Sequence, residues 1–225
     1  MYWERIAQIP KISVNPDVLI VYGTSRTDDL ESMSRILTPE ELQNAGKLRH
    51  ENQRNTWISC HITLRLLLGE FLNLDPRNIV FTKNRFGRPY IQDSNLFFNI
   101  SHTNSAFLLG FNTGFKIGVD IENLLGHEDL PALIDYAFSE AEADYCLNGG
   151  DTPTRFLELW TLKEAFLKYS GIGLTDYLKQ INICGSESNE LISNNLNYNT
   201  LICPNNETCS IVFPNNQSLN CQWLC

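Results

Sequence analysis

The chain has 225 residues, of which 43% are hydrophobic and 19% charged, close to ordinary globular usage. This composition excludes a disordered chain, a collagen-like chain and a coiled coil, and the length allows one large domain or two small ones. No apolar stretch approaches the roughly 18 to 20 residues of a membrane-spanning helix. The net charge of -9 disfavours binding to nucleic acid or to an anionic membrane.

The start of the chain and its cysteines predict a cytoplasmic protein. The first ten residues contain an acid and a proline where a secretory signal has a basic end and an apolar run. The seven cysteines include no Cys-x-x-Cys pair, and five of them are scattered from Cys184 to Cys225. We therefore expect reduced thiols rather than a zinc site or a disulfide scaffold.

In chain order, the first half is predicted to contain a buried strand, a long helical region and further strands. Residues 18–22 form a short run rich in β-branched residues, which is typical of a buried strand. Thr38, followed by a proline and two acids, predicts a helix N-terminus, and the helical pattern extends to about Leu72 with a break near Gly46. Further strands are predicted at 79–81 and 97–100, and residues 107–111 and 117–121 resemble a strand pair joined across 112–114.

The second half is predicted to be helical first and then extended. Residues 131–147 favour a helix with Ser139 as a cap, and the pattern from Arg155 to Tyr169 predicts a second helix that stops at Gly171. Short β-type runs follow at 200–203 and 210–213.

Charge is distributed unevenly along the chain. Residues 47–88 hold eight Lys or Arg against three acids, whereas residues 117–164 hold eleven acids against two bases. A basic region suits phosphates and an acidic region suits a hard cation, so this asymmetry favours a polyanion bound through both. A solvated acidic surface is the alternative.

Several residues are candidates for chemistry, each with a structural alternative. Asp120 and Glu122 are two apart in a strand-like context and point to the same side, as in a metal site or on an exposed edge strand. Glu164 and Lys168 are four residues apart on a predicted helix. They either belong to the same metal site as Asp120 and Glu122 or form an ion pair on the surface. Lys163 lies about 140° around the helix from Lys168, and we favour Lys168 for the direction of Glu164.

The basic candidates lie in the first half. Arg54, His61 and Arg65 are spaced by seven and four residues, which predicts a basic stripe on one helix face, either a phosphate site or a solvated face. Ser101 and His102 come just after a predicted strand end, where functional sites often lie, although a lone histidine is commonly structural.

Together these segments resemble the Sfp-type 4'-phosphopantetheinyl transferases. The matching segments are LTPEE (37–41), HITLR (61–65), FGRP (86–89), FNISH (98–102), IGVDIE (117–122), AFSE (137–140), WTLKEAFLK (160–168) and GIGL (171–174). Each motif is unspecific alone, but their common order along the chain is specific.

The resemblance implies a mixed α/β (α+β) pseudo-dimer of two similar halves, residues 1–112 and 113–225, with the active site in the cleft between them. It implies transfer of 4'-phosphopantetheine from coenzyme A to a serine of an apo acyl or peptidyl carrier protein, with Mg²⁺ as cofactor. The first half then binds the 3'-phosphate and adenine, and the second carries the metal ligands and the catalytic helix. A chain of this size in two halves is compatible with a monomer.

The resemblance also implies roles for single residues. Asp120, Glu122 and Glu164 match the Mg²⁺ ligands, and Glu164 also matches the proposed general base. Lys168 matches the lysine that neutralises the phosphates during transfer, with Lys163 as a second candidate. The group around the 3'-phosphate and adenine is matched by Arg88, Ser101 and His102, and by His61 and Arg54 on the preceding helix. Glu142 matches a further acid of some members.

Two segments depart from the family pattern, and two other functions stay open. Residues 41–44 (ELQN) and 55–56 (NT) stand where members carry basic residues that reach the 3'-phosphate. The alternatives are a noncatalytic module that binds coenzyme A or a carrier protein, and a different Mg²⁺-dependent phosphoryl enzyme. The carrier's pathway, whether fatty-acid, polyketide or nonribosomal peptide synthesis, is left open.

Overall fold

The computed structural model of the protein describes residues 4–6, 18–25, 30–123, 129–171, 178–184 and 194–224. The chain divides into two compact units: unit 1 comprises Met1–Gly114 with Ser218–Cys225, and unit 2 comprises Phe115–Gln217. The predicted second half, residues 113–225, differs from unit 2 because the last strand, Leu219–Leu224, is in unit 1. The end of the predicted GIGL motif and Cys225 lie outside the described residues.

Helices and strands are both present in each unit, which confirms the predicted mixed α/β class. The helices of the described residues are α1 (Leu30–Met33), α2 (Pro39–Gly46), α3 (Glu51–Leu72), α4 (Leu130–Ala137), α5 (Glu140–Asn148) and α6 (Thr152–Ser170). The strands are β1 (Glu4–Ile6), β2 (Val18–Thr24), β3 (Thr82–Lys83), β4 (Pro89–Tyr90), β5 (Leu96–His102), β6 (Ala106–Thr113), β7 (Gly118–Glu122), β8 (Leu196–Ile202), β9 (Thr208–Pro214) and β10 (Leu219–Leu224). None of these helices has the length and apolar content needed to cross a membrane.

Unit 1 is a five-stranded sheet with the long helix α3 packed on it. The strand order is β1-β10-β2-β6-β5, with parallel pairs between the first three strands and antiparallel pairs between the last three. Apolar side chains of α3, such as Leu64 and Leu67, are buried against Leu109 and Phe111 of β6. The strands β3 and β4 form a separate two-stranded ribbon.

Unit 2 is a three-stranded antiparallel sheet covered by α6. The strand order is β7-β9-β8. The core includes Phe156 and Leu162 of α6, Phe138 between α4 and α5, and Val212 of β9. Helix α6 packs directly on β7. These two elements carry the candidate acids Asp120, Glu122 and Glu164.

Helix boundaries follow local capping chemistry. Thr38 and Ser139 each begin a helix with a capping box, in which the side chain three residues on, Glu41 or Glu142, also accepts from the cap backbone. The predicted helical region over 131–147 consists of two helices, because Phe138 is extended and Ser139 caps the start of the second, which confirms Ser139 as a cap. Gly171, with φ of 73°, ends α6 as predicted.

Two strand predictions are wrong. Residues 79–81 are not a strand, and the nearest strand begins at Thr82; the Ile79 carbonyl accepts from the buried Arg65 side chain at 3.2 Å instead of from a strand neighbour. The expected pair of residues 107–111 with 117–121 does not form, since both edges of β6 are taken by β2 and β5 while β7 pairs with β9.

Candidate active site

Four of the predicted site residues lie on two adjacent elements of unit 2. Asp120 and Glu122 are on β7, and Glu164 and Lys168 are on α6. The strand and the helix meet closely at Gly118, where an added Cβ would lie 1.9 Å from the Ala165 carbonyl oxygen. The missing side chain therefore lets the helix backbone rest on the strand.

The three carboxylates of this cluster act on one another, and Asp120 and Glu164 are buried while Glu122 is half-buried. Burial raises the pKa of Glu164 to about 7, and the charge of Asp120 adds to the increase. Burial likewise raises the pKa of Glu122 to about 7, with Asp120 and Glu164 adding to it. Glu164 Oε1 is buried and accepts no hydrogen bond from any described residue. Such a group is suited to accept a proton or a cation.

Lys168 makes an ion pair that its helical spacing did not predict. Its Nζ lies 2.7 Å from Asp120 Oδ1, with Asp120 only 3% exposed. The alternative of a surface pair between Glu164 and Lys168 is wrong, because Glu164 is itself buried and the lysine reaches across to β7. The cluster thus combines three carboxylates with one ammonium.

Lys163 lies in the core of unit 2, away from this cluster. It is fully buried, and its Nζ lies 2.6 Å from Glu142 Oε2 and donates to the carbonyls of Ala137 and Leu178. All three donors are therefore taken inside the unit, which corrects the prediction that Lys163 is a second phosphate ligand. Glu142 also accepts from the backbone N–H of Ile183, so it is a structural acid.

Unit 1 contains a cavity of about 720 Å³ beside α2, α3 and the β3–β4 ribbon. His61 lies in its wall and stacks on Trp57, with ring centroids 3.6 Å apart. Gly87 and Pro89, which flank Arg88, also line it. An aromatic pair beside polar groups is typical of a pocket for a small organic ligand.

The basic stripe predicted on α3 is only partly exposed. Arg65 is 1% exposed and donates from Nε to the Glu41 carboxylate at 2.9 Å, which fixes α2 against α3. Burial alone raises the pKa of Glu41, but contacts with His61, the Thr38 backbone and Arg65 outweigh it and lower the pKa to about 2. The alternative of a solvated basic face is therefore wrong for Arg65, which is buried among the residues that line the cavity. His61 Nδ1 lies 3.7 Å from Glu41 Oε1, which is an ion-pair distance rather than a hydrogen bond.

The other basic candidates occupy different depths of unit 1. Arg54 is half-buried, with Nη1 3.4 Å from the Leu48 carbonyl oxygen, and Arg88 is half-buried and donates to the Phe98 carbonyl at 3.2 Å. Burial lowers the pKa of Arg88, which nevertheless keeps its charge. Ser101 is buried and His102 is exposed at the end of β5. None of these four is among the residues that line the cavity within the described ranges.

Three residues without a role predicted from the sequence shape these sites. Trp160 hydrogen-bonds to Glu122, Gly118 sets the spacing of β7 and α6, and Trp57 stacks on His61. Gly118, two residues before Asp120, was visible in the sequence as a glycine within a strand, which is typical of close backbone approach. The partners of the two tryptophans required the fold.

Comparison with known proteins identifies the family. A model of the 4'-phosphopantetheinyl transferase superfamily matches residues 116–213. The 4'-phosphopantetheinyl transferase HetI of Nostoc sp. is 30% identical over 160 residues, which cover 68% of this chain and 67% of HetI. The chain belongs to the 4'-phosphopantetheinyl transferase superfamily. This confirms the resemblance seen in the sequence.

Other relatives of this superfamily member match at a similar level. The 4'-phosphopantetheinyl transferase Sfp of Bacillus subtilis is 27% identical over 154 residues, or 66% of each chain. A relative from Synechocystis sp. is 29% identical over 151 residues, and the chain spans only 61% of its length. The superfamily match includes β7 and α6, and therefore the whole carboxylate cluster.

The donor set of the cluster fits a hard divalent cation, although its present arrangement is not a formed metal site. Among the described ranges, no three His, Cys, Asp or Glu side chains are placed to hold a metal ion. The carboxylates Asp120, Glu122 and Glu164 nevertheless repel one another, and Glu164 Oε1 has no hydrogen-bond partner among the described residues. Mg²⁺ prefers such oxygen ligands together with water and phosphate oxygens.

Proposed function

We propose that this protein is a Mg²⁺-dependent 4'-phosphopantetheinyl transferase, a holo-acyl-carrier-protein synthase. It would transfer the phosphopantetheine arm of coenzyme A to a serine hydroxyl of an apo acyl or peptidyl carrier protein and release adenosine 3',5'-bisphosphate. The observation that carries the proposal is the grouping of Asp120, Glu122, Glu164 and Lys168 on β7 and α6. The names of the relatives support the same reaction.

Asp120, Glu122 and Glu164 are the proposed ligands of Mg²⁺. The bound ion would supply positive charge at the pyrophosphate of coenzyme A, where the departing phosphate becomes more negative. Lys168 adds a further charge that can neutralise the phosphates. It reaches the cluster from α6, and its 29% exposed side chain keeps an open side toward a ligand.

Glu164 is the proposed general base. The serine oxygen forms a bond to the phosphorus on the pantetheine side, the P–O–P bond breaks, and the bisphosphate leaves with the bond's electrons. A hydroxyl is a poor nucleophile unless its proton is removed, and Glu164 Oε1 would take that proton directly or through water. Because α6 is anchored at Gly118, this carboxylate is held in a fixed position relative to β7.

The nucleotide end of coenzyme A is assigned to unit 1. We propose that Arg88, Ser101 and His102 contact the 3'-phosphate and adenine, with His61 and Arg54 of α3 contributing. The cavity that includes His61 and the neighbours of Arg88 supports this assignment. Arg88 is a half-buried cation, and a partly desolvated guanidinium binds phosphate strongly in two-pronged geometry.

The predicted setting of the reaction is the cytoplasm, and the predicted state of the chain is a monomer. Because the chain is acidic, with a net charge of -9, net charge cannot draw it to an acidic carrier protein. Sedimentation velocity with and without the carrier protein measures the oligomeric state.

Mass spectrometry of an apo acyl carrier protein tests the reaction. The carrier is incubated with this protein, coenzyme A and Mg²⁺, and in parallel with a chelator in place of Mg²⁺. We expect the carrier to gain the mass of phosphopantetheine only with Mg²⁺, and Glu164→Gln to abolish the gain. Glu158→Gln, on the same helix but bonded to the Tyr145 hydroxyl, is the matched control and should retain activity. No gain with carriers of all three pathways would contradict the proposed function.

A further inference from the structure

Lys168 is bound to a residue that the proposed function assigns to the metal. Its ammonium lies 2.7 Å from Asp120 Oδ1, so it is bonded to a carboxylate that is a proposed Mg²⁺ ligand. The Asp120 side chain is 4% exposed and the Lys168 side chain 29% exposed. The carboxylate is therefore fixed in the protein, whereas the lysine approaches it from the open side.

The lysine is the cation that acts on the whole cluster. It opposes the effect of Asp120 on Glu122 and on Glu164, so its charge reaches all three carboxylates. Three acids within interaction range of one another destabilise the fold unless a positive charge offsets them. Within the described part of unit 2, Lys168 supplies that charge from α6.

We propose that Lys168 is the internal counter-cation of the metal-free cluster and that a divalent cation displaces its ammonium from Asp120. This inference rests on the proposed function. A lysine has a flexible four-carbon stem and only donates hydrogen bonds, so it can leave a carboxylate without a large rearrangement. A divalent cation carries twice the charge and takes several oxygens at once, so it wins the exchange.

The exchange links metal binding to the phosphates. Once displaced, the ammonium becomes available to the phosphates of coenzyme A, while the metal takes over the stabilisation of the carboxylates. The same lysine then serves the cluster before the metal is bound and the phosphates afterwards. Lys168 is in this respect a positioning residue for Asp120 as well as a phosphate ligand.

Mn²⁺ binding to the full chain without coenzyme A tests the exchange. Electron paramagnetic resonance titrations compare the wild type with Lys168→Met, which keeps most of the apolar stem of the side chain but removes the competing charge. We expect Lys168→Met to bind Mn²⁺ about tenfold more tightly, and Lys168→Arg to bind within about twofold of the wild type. Lys179→Met is the matched control, because it removes an exposed lysine of unit 2 that pairs with Asp135 at 3.5 Å.

A second measurement does not depend on the folding of Lys168→Met. In wild-type protein labelled with ¹³C at the lysine ε-carbons, the Lys168 resonance is assigned by its loss in Lys168→Arg. We expect Mg²⁺ titration to shift this resonance and to leave that of Lys179 unchanged. A Lys168 resonance that stays in place while Mg²⁺ binds would overturn the exchange.

The outcomes separate this inference from the proposed function. Equal or weaker Mn²⁺ binding by folded Lys168→Met overturns the displacement, while Mg²⁺-dependent transfer by the wild type leaves the proposed function intact. No Mn²⁺ binding by any variant, together with transfer in the presence of a chelator, overturns the metal role and the inference with it.

Discussion

Lys163 Nζ lies 2.6 Å from Glu142 Oε2, and neither side chain is exposed to solvent. The pair joins α6 to the start of α5, and the remaining lysine donors hold the last turn of α4 and the turn at Leu178. A buried ion pair is costly to desolvate, so it persists because every donor and acceptor has a partner. Lys163 thus fixes the helix that carries Glu164 without taking part in the chemistry.

Removing one partner of this pair should be strongly destabilising. We expect Lys163→Met to lower the free energy of unfolding by about 3 to 5 kcal/mol, because Glu142 stays buried without its charged partner. The double variant Lys163→Met with Glu142→Leu should lose less than the sum of the single losses, measured by urea unfolding. Lys179→Met, which breaks an exposed pair, should change stability by less than about 1 kcal/mol. Additive losses in the double variant would contradict the pairing.

Gly118→Ala should separate β7 from α6. The new Cβ would lie 1.9 Å from the Ala165 carbonyl oxygen and 2.5 Å from the Tyr169 nitrogen, both of them backbone atoms. We expect a loss of about 1 to 3 kcal/mol or more in the free energy of unfolding, and a lower kcat because Glu164 and Lys168 move with the helix. Gly46→Ala is the control, since no atom lies within 4 Å of its added Cβ. Unchanged kcat in folded Gly118→Ala would show that this spacing does not position the catalytic helix.

Glu41 should make the stability of unit 1 sensitive to acid. Its pKa is lowered from 4.5 to about 2 in the folded protein, so the folded state keeps the charge where the unfolded state takes up a proton. The resulting stabilisation, up to about 3 kcal/mol, is fully present above pH 4.5 and is lost as the pH falls toward 2. Glu41→Gln should therefore be less stable than the wild type at pH 7, and the difference should shrink below pH 4.5. Glu40→Gln, in an exposed pair with Lys83, is the control for urea unfolding at both pH values.

The sequence predicted the positions of helices, strands and helix ends better than it predicted which side chains and strands contact one another. The motif segments located β7 and α6, and Thr38, Ser139 and Gly171 marked helix ends, because caps and periodicity depend on neighbouring residues. The spacing of Arg65 correctly placed it on one helix face with His61. It did not show that this face is covered by Glu41, because burial depends on α2, which is distant in the chain.

The same limit applies to the charged residues of α6. Lys163 and Lys168 are equivalent in composition and differ only in their angle around the helix. Because of this angle, Lys163 points into the core and pairs with Glu142, whereas Lys168 pairs with Asp120 on β7. Similarly, β7 can pair only with a strand that has an unpaired edge. Both edges of β6 are paired, with β2 and β5, and the local sequence does not show this, so β7 pairs with β9.

Arg88→Ala should weaken recognition of the 3'-phosphate specifically. If the guanidinium binds that phosphate, the variant should have a KM for coenzyme A raised about tenfold or more and a nearly unchanged KM for 3'-dephospho-coenzyme A, since charge-assisted pairs contribute about 1.5 to 3 kcal/mol. Arg85→Ala is the matched control in the same turn, where the exposed guanidinium lies 4.6 Å from the centre of the Phe86 ring. Steady-state kinetics with both substrates measures the difference. An equal rise in KM for the two substrates would assign Arg88 to another part of coenzyme A, because only a contact to the 3'-phosphate distinguishes them.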